Sequence, residues 1–196
     1  MIPRNVQITL VLLFLLVLVT GVYIVHLRRG TQENLRAAAE ERTVAPPVNG
    51  ELQTVKLTIA YDDDGVFRSR QATGVLPDEP ESRAKAILGL LIGQYVSHPS
   101  PHPLGPGSAI KTVFLVNNRL AVLDLNEQFA DEHRSGIMIE DFTLLSLIDT
   151  LAANFPQLEQ VKFLVDGKER ETLAGHADLK TIYSTAAAHR LVEQLQ

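Results

Sequence analysis

Apolar positions along the chain follow three patterns, and each predicts a different kind of element. The first is an unbroken run. No charged residue stands between Arg4 and Arg28, and Ile8 to Leu27 is almost wholly apolar, with Thr9 and Thr20 able to return their hydroxyls to the backbone. Twenty residues in a helix span about 30 Å, the thickness of a bilayer's hydrocarbon core, so this run predicts a transmembrane helix. The second pattern is alternation with period two. Val55, Leu57, Ile59 and Tyr61 share one face of a strand over Val55–Tyr61, and Lys56, Thr58 and Ala60 share the other. The turn signal Asp64-Gly65 leads into a second strand from Val66 to about Thr73. Lys111–Val116 and Leu120–Leu125 form a hairpin around Asn117 and Asn118, which tolerate positive φ. Both of its strands are apolar on both faces, which predicts a central position in a sheet covered by helices. Val161–Val165 is a further apolar strand, ended by Asp166-Gly167, with Lys168–Thr172 as its expected hairpin partner. The third pattern is helical spacing. Ala84, Ile87, Leu88, Leu91 and Tyr95 follow a start at Asp78-Glu79-Pro80, where proline and acids suit the first turn. Phe142, Leu145, Ile148 and Ala152 mark a second helix over about Ile139–Asn154, stopped by Pro156. Ile182, Leu191, Val192 and Leu195 mark a tail helix over Thr181–Gln196, whose stripe packs on the domain or binds a partner, packing being the commoner fate.

This order predicts an α+β fold: a mostly antiparallel sheet with two helices packed on one face, plus an N-terminal transmembrane helix and a C-terminal tail helix. The segments are an anchor over residues 1–29, a stalk over 30–50, the α+β domain over 51–176 and the tail over 177–196. Thr31–Arg42 is rich in helix formers, and Pro46, Pro47 and Gly50 break the stalk. The apolar run reads as a retained anchor. It is longer than the core of a cleaved leader, and its end carries bulky residues where a cleavage site needs small ones. Charge leaves the orientation open. Arg28, Arg29, Arg36 and Arg42 after the span outnumber Arg4 before it, which favours a cytoplasmic domain. A long apolar first segment behind a basic residue is also how single-pass export begins. The chain has no cysteine, so it has no lipid-bearing cysteine, and its redox compartment is left undecided. A net charge of −5 without a basic stripe argues against nucleic acid as a partner.

Several stretches together carry a family likeness. They are LLIG at Leu90–Gly93, NNRLAVLDLNEQF at Asn117–Phe129, SLIDTLAANFPQLEQVKFLVDG at Ser146–Gly167 and LAGH at Leu173–His176. From about Val55 to His176 the chain resembles the GerMN domain, the family of sporulation and germination proteins that is also found in many bacterial envelope proteins. It departs from the family pattern at Gln94, where proline is frequent, and at Asn118-Arg119, in place of an Asp-Gly turn. The resemblance implies a binding or scaffolding module that is not a known enzyme and needs no cofactor. It implies a domain outside the cytoplasmic membrane, tethered here by a single-pass helix, with an envelope protein or cell-wall glycan as partner. Some members resemble ring-building domains of secretion assemblies, so a self-associating ring or scaffold subunit is an alternative.

No catalytic, cofactor or metal site is expected from the residues. His98 and His102 have the spacing of two zinc ligands, but Pro99 and Pro101 forbid a helix there and no carboxylate or cysteine lies close in sequence. Asp62-Asp63-Asp64-Gly65 lacks the alternation of a calcium loop and reads as a charged turn. Asp131, His133 and Ser135 are neighbours without a nucleophile motif. Gly105-Pro106-Gly107-Ser108 lacks the lysine and helix of a phosphate loop. An envelope hydrolase or metal-dependent enzyme using these histidines is the remaining catalytic alternative. The loops Ser97–Ser108 and Asn126–Gly136 flank one hairpin, and His98, His102, Asp131 and His133 on them are the candidate partner-binding residues.

Overall fold

The computed structural model describes residues 50–196. The expected membrane helix and stalk lie outside the described residues. Within residues 50–196, no helix is long and apolar enough to cross a membrane.

Strands β1 (Gly50–Tyr61) and β2 (Val66–Pro77) pair antiparallel in unbroken register over twelve residues each. Gly65 closes their turn at φ +66°. Both strands run several residues beyond the segments that alternation marks. The added part carries little apolar signal and is held by the ladder itself and by the helix beneath it. A Cβ on Gly74 would stand 2.9 Å from Leu90 of that helix, so glycine permits the approach.

That helix is α1 (Pro80–Val96). The Glu79 carboxylate caps it, accepting from the N–H groups of Glu81 and Ser82. Its spaced residues Ala84, Ile87, Leu88, Leu91 and Tyr95 are all buried. After a long loop, β3 (Ile110–Val116) and β4 (Leu120–Leu125) form the hairpin, with Asn117 and Asn118 both at positive φ. The short α2 (Glu127–Asp131) and long α3 (Ile137–Asn154) lead to β5 (Gln160–Val165). A two-residue β6 (Tyr183–Ser184) precedes α4 (Thr185–Gln194).

The fold is α+β, with antiparallel pairing in two sheets and a few helices, and it differs from expectation in four places. First, the strands form two sheets, β1–β2 and β3-β4-β5-β6, in place of one. The outer edge of β1 is taken by side chains, so no third strand joins it. Lys56 N–H donates to Asn154 Oδ1, Thr58 N–H to Thr150 Oγ1 and Ala60 N–H to the Tyr95 hydroxyl. Second, β4 and β5 are parallel, because α2 and α3 make a crossover that returns the chain in the same direction. Third, Lys168–Thr172 does not return as a strand. The positive-φ pair Asp166-Gly167 yields only a bridge from Val165 to Lys168, and β6 takes the place beside β5. Fourth, the second face of the four-stranded sheet is only partly covered. Val113, Ala121, Leu123, Leu125, Val161 and Phe163 lie in the core, whereas Phe114 is 51% and Val116 47% exposed on the other face.

The tail packs on the domain. Ala188 and Val192 are buried, His189 meets Asp149 at 2.7 Å, and the Leu195 carbonyl accepts from Phe67 N–H. The helix starts at Thr185, later than its sequence suggests, because Tyr183 and Ser184 pair with β5 and Ser184 then caps it.

Candidate functional site

The two candidate loops meet inside the domain. His102 is fully buried. Its Nδ1 lies 2.5 Å from Asp62 Oδ1 and its Nε2 2.6 Å from Thr143 Oγ1, on α3. His133 is also buried, with Nε2 2.7 Å from the same Thr143 oxygen and Nδ1 2.8 Å from the Arg134 carbonyl. Arg134 closes the circuit by donating to Asp62 Oδ2. The chain of contacts therefore runs Asp62, His102, Thr143, His133, Arg134. The Thr143 hydroxyl is also within reach of the Ile139 carbonyl one turn back on α3, to which it donates at 3.1 Å.

Electrostatics agree with the pairing of Asp62 and His102. Burial works against the Asp62 carboxylate, but hydrogen bonding and charge from His102, with Arg134, outweigh it and hold its carboxyl below the usual range. Burial pushes the His133 imidazole down, and the charges of His102 and Arg134 add to the effect. The aromatic surroundings fit: His133 stacks on Phe129, and His102 meets Tyr95 edge to face.

One turn earlier on α3, Glu140 is fully buried and gathers a second loop. Its Oε2 accepts from the N–H groups of Ala174, His176 and Ala177, and its Oε1 from Gly136 N–H and His176 Nδ1. Burial opposes the charge, yet the Ala174 N–H, the His176 ring and the remaining amides bring its carboxyl down to about 2. Two of these amides, of Ala174 and His176, belong to the LAGH segment, so this motif is part of a turn wrapped on a carboxylate.

Of the four candidate residues, the structure brings His102 and His133 together through Thr143 and leaves His98 and Asp131 outside. His98 is exposed. Asp131 is exposed at the end of α2 and accepts from Arg170 at 2.6 Å. Sequence reasoning missed Asp62, Thr143 and Glu140. An acid in the first turn after Gly136 signals a helix start, but its reach to residues 174–177 has no local signature.

Chemically the His–Thr–His cluster is closed. A threonine between two imidazoles has the groups for acyl transfer, but Thr143 and His102 have no exposed surface for a substrate. Within residues 50–196 no group of three or more histidines and carboxylates is placed to hold a metal. The cluster's visible work is to fasten both loops to α3. Ser108, in the first loop, buries its hydroxyl without a partner among the described residues.

The other feature of note is the partly covered face of the four-stranded sheet. Register places Phe114 beside Val122 and Val116 beside Leu120, and Val122 beside Lys162, with Leu164 on the same face. Phe114 and Val116 are exposed, and Leu120, Val122 and Leu164 are partly so. Asp124 and Lys162, both largely buried, separate Leu164 from the rest, so the exposed apolar patch is Phe114 and Val116 with Leu120 and Val122 beside them; exposed apolar patches mark interaction sites.

Solved structures similar to this chain include the following. One is a protein of Clostridium perfringens assigned as a lipoprotein, with 18% identity and a TM-score of 0.43, covering 72% of this chain and 93% of that one. The tandem GerMN domains of the sporulation protein GerM from Bacillus subtilis match at 17% identity and a TM-score of 0.47, over 66% of this chain and 44% of that one. The first GerMN domain of the same protein matches at 18% and 0.43, over 65% and 92%. No curated protein matches the chain. The profile of the Germane family, described as sporulation and spore germination, matches residues 58–171, more than half of the chain. The chain belongs to the Germane family, the GerMN domain proteins of sporulation and spore germination.

Proposed function

We propose that this protein is a non-catalytic binding or scaffolding module of the bacterial envelope, anchored in the cytoplasmic membrane by its N-terminal apolar segment, with the domain on the outer side. The observation that carries the reading is the exposed apolar patch of Phe114 and Val116, with the half-buried Leu120 and Val122 beside them. Covering such a patch with a partner removes apolar surface from water. The membership in a sporulation and germination family supports an envelope role. The partner is an envelope protein or cell-wall glycan, and the flat apolar face favours the protein. His98 and Asp131 are the outward residues of the two loops, and His102 and His133 hold those loops in place.

The test is in-cell photocrosslinking from position 114, with Phe114→Glu/Val116→Glu as the control variant. A discrete adduct that the variant loses, at a melting temperature within about 4 °C of the parent, is expected. Capture unchanged by the double substitution removes the face from the reading. Alanine at His98 and Asp131 is expected to weaken capture, and no effect removes the loops. A tag after Gln196 is expected to be digested by protease on intact cells, and protection until lysis overturns the orientation.

A further inference from the structure

The two edges of the β1–β2 hairpin are treated differently. On β1 the outward amides of Lys56, Thr58 and Ala60 are all taken by helix side chains, Asn154 returns a bond to the Lys56 carbonyl at 2.7 Å, and Asp62 N–H donates to Pro101. On β2 the outward residues are the odd-numbered ones, as Phe67 N–H shows by donating to Leu195. Beyond Phe67, the N–H groups of Ser69, Gln71 and Thr73 point away from β1 and meet no backbone acceptor among the described residues. These residues are exposed. The edge has no bulge, and no lysine or proline stands between Val66 and Leu76; its only charges are Arg68 and Arg70.

We propose that this edge pairs with the same edge of a second copy, antiparallel about a two-fold axis through Gln71, joining the two hairpins into one four-stranded sheet. The phase of the outward amides selects the register. Gln71 faces Gln71 of the second copy, and Ser69 faces its Thr73, each pair exchanging two backbone bonds, roughly six in all. The same register sets Arg70 opposite Ala72 of the second copy and Arg68 opposite its Gly74, so no like charges oppose across the seam. Small neutral residues thus stand where the arginines need room. The flanking helix leaves space too: a Cβ at Gly89 or Gly93 would have no atom within 4 Å. A strand seam buries less than a standard interface, so the pair is weak in dilute solution and forms where an anchor confines both copies to one membrane. This inference is separate from the exposed apolar patch, which belongs to the other sheet.

The absence of cysteine makes the test direct. Single cysteines are placed in the full chain in its own membrane and mildly oxidised. Opposed residues of such a pair lie about 5.5 Å apart at Cα, within disulfide reach. Gln71→Cys is expected to give a covalent dimer. Ser69→Cys and Thr73→Cys are expected to stay monomeric alone and to crosslink when the two variants are mixed. Gln71→Pro removes an amide that β1 does not use. Placed in the mixed Ser69→Cys and Thr73→Cys chains, it is expected to abolish their crosslink while circular dichroism is unchanged. Overturning results are no dimer from Gln71→Cys, equal crosslinking from Ser69→Cys alone, or an adduct only with a different protein.

Discussion

Glu140 and Thr143 stand one turn apart on α3, both fully buried, and each ties distant chain to the helix. Glu140 does so as a carboxylate surrounded mainly by backbone N–H groups from residues 136 and 174–177. Thr143 does so through two imidazoles, one of them paired with a carboxylate. Backbone donors do not titrate, so the first knot holds for as long as its carboxylate is ionised. Burial lowers the pKa of the His133 imidazole, so the second knot responds to pH through that ring. The same helix thus carries one fastening that ignores ordinary pH and one that responds to it.

The sharpest way to break this contrast is Glu140→Ala. It strips three amides of residues 174–177, that of Ala177 buried, of a charged acceptor and is expected to cost about 3–5 kcal/mol in urea unfolding. A loss below about 1 kcal/mol would mean that the loop holds itself. Acid should reproduce the effect. The folded Glu140 carboxyl sits at about 2 against an ordinary 4.5, so its stabilisation is complete above 4.5 and is lost as pH falls towards 2. The loss is on the order of 3 kcal/mol, and Glu140→Gln should remove that pH dependence.

Thr143→Val comes next. It leaves ring nitrogens of both histidines unpaired at unchanged volume, and a loss of about 2–3 kcal/mol is expected. The gentler probe is His133 itself. Its pKa is lowered in the fold, so the unfolded chain binds more protons, and stability rises with pH up to about 6.5 and falls as pH drops below it. His133→Gln should flatten the unfolding free energy measured between pH 5 and 7, at a slope change of up to about 1.4 kcal/mol per pH unit. Smallest and opposite in sign, Ser108→Ala removes an unpartnered buried hydroxyl in the loop that His102 secures, and should add up to about 1 kcal/mol.

These residues also show what a sequence can and cannot convey. Period-two and helical spacing located β1, α1, the β3–β4 hairpin, α3 and β5, because burial of one face is written locally. Two-sided apolarity predicted that Lys111–Val116 and Leu120–Leu125 would both be central and covered by helices, but β3 is an edge strand and Phe114 and Val116 are exposed, since coverage depends on where distant helices pack. Spacing placed His102 and His133 on adjacent loops, but their meeting at Thr143 needs α3 to lie under both. The carboxylates of Asp62, Glu140 and Asp149 looked like ordinary surface acids in a turn and a helix. Each is defined by partners at least thirty-four residues away.

The occupied edge of β1 has a mechanical consequence. The chain enters the described domain at Gly50, and over twelve residues β1 is bonded to β2 on one side and, at Lys56, Thr58 and Ala60, to Asn154, Thr150 and Tyr95 on the other. A load applied at Gly50 along the strand axis is shared by many bonds loaded in parallel. The strand must shear free of a sheet and two helices at once, and it cannot be peeled off one bond at a time.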